Sequence, residues 1–203
     1  MAERASATRV PEIQAFLDAL FPCLVESTWR DAADAAFVAD LRRRLRTVGA
    51  PGQIGPGPRL EVHDHLETAL DTLGGAALTV QRLGAALAAV APLVPWSKRP
   101  HQGPDAERFA AGHGNALLLG PGGAEERADV RIGVSLMAPY ICYPEHSHPP
   151  DELYLVLSDG EWRQGTRDWV RPGLAGTVRN PPGIAHAMRA GNTPLLAVWG
   201  LIA

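Results

Sequence analysis

Near Asp129 the hydrophobic pattern of this chain changes period, and one fold has to serve both halves. Upstream, Ile13, Phe16, Leu17, Leu20 and Phe21 fall on one helical stripe. Pro11 suits the first helical position, and Pro22 is expected to stop the helix. Asp31 can cap a second helix whose Phe37, Val38, Leu41, Leu45 and Val48 share a face, with Gly49 as its stop. Residues 51–58 read as a Gly/Pro loop. A third helical region runs from His63 through Leu66, Leu70 and Leu73. Gly74–Gly75 interrupts it, and it resumes through Val80, Leu83, Leu87 and Val90 to Pro92. Downstream the period is two. Val130, Ile132, Val134 and Leu136 alternate with Arg131, Gly133 and Ser135, and Leu153, Leu155 and Leu157 alternate with Tyr154 and Val156. Short strands are also expected at 162–163, 176–178, 185–189 and 195–201, separated by Gly/Pro turns. Many short strands at regular spacing point to a sandwich or barrel.

The reading is therefore α+β, mostly β. A helical region over 1–95 packs on the barrel. An irregular connection spans 96–128, with room for barrel-edge strands, and the barrel proper occupies 129–203. All three are expected to form one compact unit.

Charge and cysteine content narrow the function. The net charge is −3, which offers nucleic acid no broad electrostatic footprint. Arg42, Arg43 and Arg44 read as a solvated helix face. Cys23 and Cys142 are too few and too far apart for a disulfide framework. Met1 to Val10 lacks the apolar core of a signal peptide. Gln81 and Arg82 interrupt the apolar stretch 74–94, so a buried helix is expected there and not a membrane span. The expected location is the cytoplasm, with no nucleic-acid or membrane partner. Oligomeric state has no signature.

The chemistry concentrates in Tyr143-Pro-Glu-His146-Ser-His148-Pro-Pro-Asp-Glu152-Leu-Tyr154. His146 and His148, two apart in extended chain, point to one face. Glu152 opens a strand, and His186 follows the Pro181–Pro182–Gly183 turn on a later one. Imidazoles plus one carboxylate suit a divalent transition metal: Zn²⁺, Fe(II), Mn²⁺ or Ni²⁺. Four ligands, His146, His148, Glu152 and His186, leave positions open for water or substrate. His63, His65, His101 and His113 lie in helical or loop segments and read as solvated.

This constellation resembles the two motifs of the cupin superfamily, which implies an antiparallel β-barrel or jelly roll. The glycine closing the first motif is Gly160, one residue late. The second motif is Gly176, Pro181-Pro-Gly183 and His186, one residue short before the proline. Ala190 stands where an asparagine is often found. The ligands are intact.

Tyr154 lies two residues after Glu152 and so shares its strand face. The run Tyr143…His146-x-His148…Glu152-x-Tyr154, followed by His186, is similar to the Q-type cupin lyases of dimethylsulfoniopropionate. The resemblance implies that His148, Glu152 and His186 bind metal and that His146 also lines the site. It implies that Tyr154 and Tyr143 are catalytic. The implied reaction is β-elimination of a zwitterionic sulfonium carboxylate to dimethyl sulfide and acrylate. Metal binding of the substrate carboxylate would make the α-proton removable by a tyrosine. A sulfonium favours aromatic walls, and Tyr140, Trp162, Trp169 and Trp199 are the candidates. The alternatives are another cupin metalloenzyme (a dioxygenase or isomerase), a non-catalytic small-molecule-binding cupin, or a family relative acting on another substrate.

Overall fold

A computed structural model describes residues 8–27 and 31–203 of the chain. Most of the Met1–Val10 segment considered above lies outside them. The helices are α1 (Pro11–Glu26), α2 (Ala32–Arg44), α3 (Leu66–Asp71), α4 (Leu78–Val90) and α5 (Ala106–Gly112). Short 3₁₀ turns flank α3 and follow α4.

The strands are β1 (Ala50–Pro51), β2 (Trp96–Ser97), β3 (His113–Leu119), β4 (Glu125–Glu126), β5 (Val130–Met137), β6 (Cys142–His146), β7 (Asp151–Val156), β8 (Glu161–Gln164), β9 (Thr177–Asn180), β10 (His186–Arg189) and β11 (Leu195–Ile202). They build two sheets. The larger runs β1-β4-β3-β5-β11-β7-β9, with β2 beside β3, and the smaller runs β6-β10-β8.

The chain is α+β with a jelly-roll sheet pair of the cupin type. Two details correct a closed antiparallel barrel. No strand pairing joins the sheets among the described residues, and Leu119 meets Glu125 in parallel register.

Strand parity sorts the large sheet into two chemistries. Ile132, Val134, Leu136, Leu153, Leu155, Leu196 and Val198 face outward and share one core with Phe16, Leu20, Phe37, Leu41, Leu83 and Leu87 of the helices. Residues of opposite parity face the small sheet, where Met137, Tyr154, Val156, Ala197, Trp162 and Met188 form a second cluster. The helices therefore cover one face of the sheet, and the site lies on the other.

Asp31 caps α2, its carboxylate accepting from the backbone N–H of Ala33 at 2.8 Å. Pro22 does not stop α1, which continues to Glu26. The missing N–H falls on the solvent side, where water can serve the Asp18 carbonyl. Beyond it, Cys23 and Leu24 are buried and reward the extra turn.

A buried ion cluster clasps the helices to the sheet. Arg9 pairs with Glu125 at 2.5 Å, and Arg127 donates to the carbonyls of Arg44 and Thr47 at the C-terminal end of α2. Burial pushes the Glu125 carboxyl up, but its bonds to Arg9, Gly49 N–H and Arg127 outweigh this and hold it below its usual value.

The connection 96–128 contains β3, which lies inside the large sheet between β5 and its other neighbours. Its run Ala-Leu-Leu-Leu hides the period because Ala116, Leu118 and Leu119 are all buried.

Candidate metal centre and active-site cavity

Three elements bring the ligand residues together. His146 ends β6 and lies opposite His186 of β10 in the register of the small sheet. His148 sits in the turn leading to β7, which begins with Asp151 and Glu152. Gly183 holds the two loops together. Its φ of 75° lets its N–H donate to the His148 carbonyl at 2.9 Å, a backbone conformation that L side chains rarely adopt. Ligand nitrogens of His146, His148 and His186 lie within 4.8 Å of one another.

Each of the three imidazoles has its Nδ1 against a backbone carbonyl: Pro144 at 2.9 Å, Pro150 at 3.1 Å and Ile184 at 3.0 Å respectively. A carbonyl only accepts, so Nδ1 carries the proton and Nε2 keeps its lone pair. Nε2 of His148 and of His186 is buried without a hydrogen-bond partner. Both stand close to Glu152 Oε2, at 3.3 and 3.2 Å. Two lone pairs and a carboxylate converging in this way fit a divalent cation better than they fit one another.

Asn180, opposite Glu152 in the β7–β9 register, donates to Oε2 at 2.8 Å. Gln164 of the small sheet donates in turn to Asn180 Oδ1, also at 2.8 Å. Burial pushes the Glu152 carboxyl up, yet contacts with His148, His186 and Asn180 prevail and hold it at about 2. Glu152 is thus an anion at any ordinary pH. It raises His148 above the ordinary value, whereas burial lowers His146 to about 4.

A cavity of about 300 Å³ opens beside this cradle. Tyr143, His146, Glu152, Tyr154 and Trp199 line it, together with Arg99, Asn115, Arg131 and Ser135. Trp199 and Tyr154 are cross-strand neighbours. The Trp199 ring lies across Gly133, where a Cβ would come within 2.2 Å of it. Burial keeps the Tyr154 phenol well above its ordinary value, and the Glu152 charge adds to this. Burial also raises Tyr143, but there the Arg99 guanidinium, 5.5 Å from the ring centroid, opposes the rise.

The sequence model of the dimethylsulfoniopropionate lyases matches residues 32–197. The chain belongs to that family. A relative in Cereibacter sphaeroides, provisionally named dimethylsulfoniopropionate lyase DddL, is 31% identical over 136 residues. That match covers 66% of this chain and 56% of the relative, so it spans little more than half the relative's length. Among solved structures, one from the study of the lyases RdDddP and RnDddQII superposes with a TM-score of 0.68 at 24% identity, covering 95% of this chain and 92% of the other. The lyase DddQ of Ruegeria pomeroyi gives 0.66, also at 24% identity, with the same coverage. These two likenesses show the fold.

Within this lyase-family fold the aromatic candidates separate. Trp199 lines the cavity. Trp162 is 1% exposed and packs behind Tyr154, 6.4 Å between ring centroids. Trp169 sits under the guanidinium groups of Arg163 and Arg189. Tyr140, in the left-handed region at φ 62°, is 65% exposed and borders a separate surface pocket with His101 and Phe109. None of residues 51–58 lines the cavity.

His113 is not solvated. It is fully buried, stacked on Phe109 at 4.7 Å and edge-on to Tyr143 at 4.8 Å, because β3 carries it inward. Burial drives its pKa down to about 3, so the ring is neutral. Arg99, Asn115, Ser135 and Asn180 escaped the sequence reading. Only for Ser135 did strand parity carry a usable signal.

Proposed function

We propose that this chain is a metal-dependent lyase that splits dimethylsulfoniopropionate into dimethyl sulfide and acrylate. The observation that carries the reading is the joint lining of one cavity by Tyr143, Tyr154, His146 and Glu152 in a chain of the lyase family. His148, Glu152 and His186, with His146 beside them, would hold one divalent ion, of which Zn²⁺, Fe(II), Mn²⁺ and Ni²⁺ all suit nitrogen and oxygen donors. The bound cation would offset the charge of the substrate carboxylate and so acidify the neighbouring C–H.

The protein's own groups do the rest. Asn180 and Gln164 hold the Glu152 carboxylate in place, and the three backbone carbonyls hold the imidazole tautomers. Tyr143 is the better base of the two tyrosines, because burial drives the Tyr154 phenol well above its ordinary value and raises that of Tyr143 less. The phenolate oxygen takes the α-proton. The C–H electron pair becomes the Cα=Cβ bond, and the Cβ–S bond breaks with its electrons leaving on dimethyl sulfide. Sulfur departs neutral and needs no acid. The Trp199 and Tyr154 faces offer a wall suited to the sulfonium. The substrate is a small zwitterion, and no helix of the described residues is long and apolar enough to cross a membrane.

Gas chromatography of the headspace over purified, metal-loaded protein tests the reaction. Dimethyl sulfide should appear with an equal amount of acrylate, and its absence would end the reading. Tyr143→Phe should slow release by roughly two orders of magnitude, the usual scale for a lost general base, with metal content unchanged. A silent Tyr143→Phe beside a crippled Tyr154→Phe would transfer the role to Tyr154.

A further inference from the structure

We infer that Arg99 anchors the carboxylate end of the substrate and so decides which way round it lies in the cavity. This rests on the lyase reading above. Arg99 follows β2 by two residues, and Ser97 of that strand lines the cavity with it. Arg99 is exposed to solvent, yet it lines the cavity and stands over the Tyr143 ring. No carboxylate lies within ion-pair distance of it among the described residues, whereas Arg9, Arg43, Arg44, Arg59, Arg127, Arg163, Arg171, Arg179 and Arg189 each have one. An arginine left without an anion beside a polar cavity is available to an anionic ligand.

Arg131 also lines the cavity, from the end of β5 beside Leu201. Of the two, Arg99 is the one that stands over a tyrosine of the site, 5.5 Å from the Tyr143 ring centroid. Arg99 is therefore the guanidinium next to the reacting groups.

The two ends of the substrate respond oppositely to it. A carboxylate pairs with a guanidinium through two parallel N–H donors. A sulfonium is repelled by it. With the carboxylate at Arg99, the adjacent α-carbon lies towards Tyr143, and the sulfonium is left to the aromatic faces of Trp199 and Tyr154 that also line the cavity. The reversed pose would put cation against cation and take the α-carbon away from Tyr143. Arg99 thus selects the productive orientation.

The test compares wild type, Arg99→Gln, Arg99→Lys and Arg131→Gln, all metal-loaded. Arg99→Gln should raise KM for dimethylsulfoniopropionate about 10-fold, the lower end for a charge-assisted hydrogen bond from an exposed side chain. The main effect should fall on KM, with any loss of kcat smaller than the rise in KM, and its metal content should be unchanged. Arg99→Lys keeps the charge but loses the fork, and its KM should fall between the two.

A binding arm is independent of turnover. By ligand-observed NMR, propionate should bind metal-stripped wild type and lose that binding in Arg99→Gln, and metal-loaded Arg99→Gln should bind it more weakly than metal-loaded wild type. Propionamide, the neutral isostere, should not distinguish them. An unchanged KM with unchanged propionate binding would overturn the inference. So would a collapse of kcat at constant KM, which would place Arg99 on the proton transfer, or an equal effect of Arg131→Gln, which would assign it to general charge. If no protein releases dimethyl sulfide while propionate binding still depends on Arg99, the lyase reading falls and the anchor stands.

Discussion

The two faces of the large sheet come from the same strands, one residue apart, and they do opposite work. On β5 and β7, Ile132, Val134, Leu136, Leu153 and Leu155 bury against the helices. Arg131, Gly133, Ser135, Glu152 and Tyr154 turn to the cavity side. The outer face is apolar and closely packed. The inner face holds an anion, unpartnered imidazole nitrogens and phenols, groups that cost free energy to bury. A one-residue register slip would exchange them, so the alternation that specifies the pairing also separates stability from chemistry.

That separation can be broken by substitution. The largest effect is expected from His148→Ala combined with His186→Ala. Metal content, read by atomic emission, should fall by about 10-fold or more, and dimethyl sulfide release by at least about 100-fold, since loss of mere supporting partners costs 10- to 100-fold. The thermal midpoint of the metal-free protein should move by less than about 5 °C, because His148 is partly exposed and the buried His186 ring takes an unpartnered nitrogen with it along with its contacts. A large drop would make the inner face a stability element after all.

The opposite result is expected from Leu155→Ala. Denaturant unfolding should show a loss of about 2–5 kcal/mol, the range for a buried leucine truncated in a packed core. KM and kcat of the folded protein should stay within about 2-fold. A matching loss of kcat would mean that the faces are coupled through the strand.

A smaller effect sharpens the comparison from the inner side. His113 is held neutral, at about 3 against the ordinary 6.5, so the unfolded chain takes up the proton first. The stability tied to its neutral form is complete above pH 6.5 and drains as pH falls towards 3. Between pH 6.5 and 5 wild type should lose about 2 kcal/mol from this group, at about 1.4 kcal/mol per pH unit. His113→Phe keeps the stack on Phe109 and should flatten that part of the pH–stability curve. Parallel curves for the two proteins would show that His113 titrates normally.

The helices were legible because their apolar stripes face a core that lies wholly on one side. There are two departures: Pro22 was read as a stop without knowing that its position faces solvent, and α2 ends at Arg44, short of the Val48 and Gly49 read as its last turn and stop. The strand β3 was illegible because both its faces are buried, which removes the alternation. His113 was misread for the same reason, since an unrecognised strand offered no inward face to assign it to. Among the aromatics, Trp199 and Trp162 both sit on strands, but only the packing of one sheet on the other decides which of them meets the cavity.

By itself the sequence determined the two-period architecture, the parity of β5 and β7, and the grouping of His146, His148, Glu152 and Tyr154. These are consequences of a local repeat acting within a few residues. The tertiary structure alone decided that Asn180 supports Glu152, that Gln164 supports Asn180, that His113 packs against Tyr143, and that Arg99 stands over the Tyr143 ring. Each of these joins residues on different strands or loops, and nothing in a local repeat encodes which distant strand will pair beside which. That choice is made when hydrophobic burial and backbone hydrogen bonding are satisfied together over the whole sheet pair.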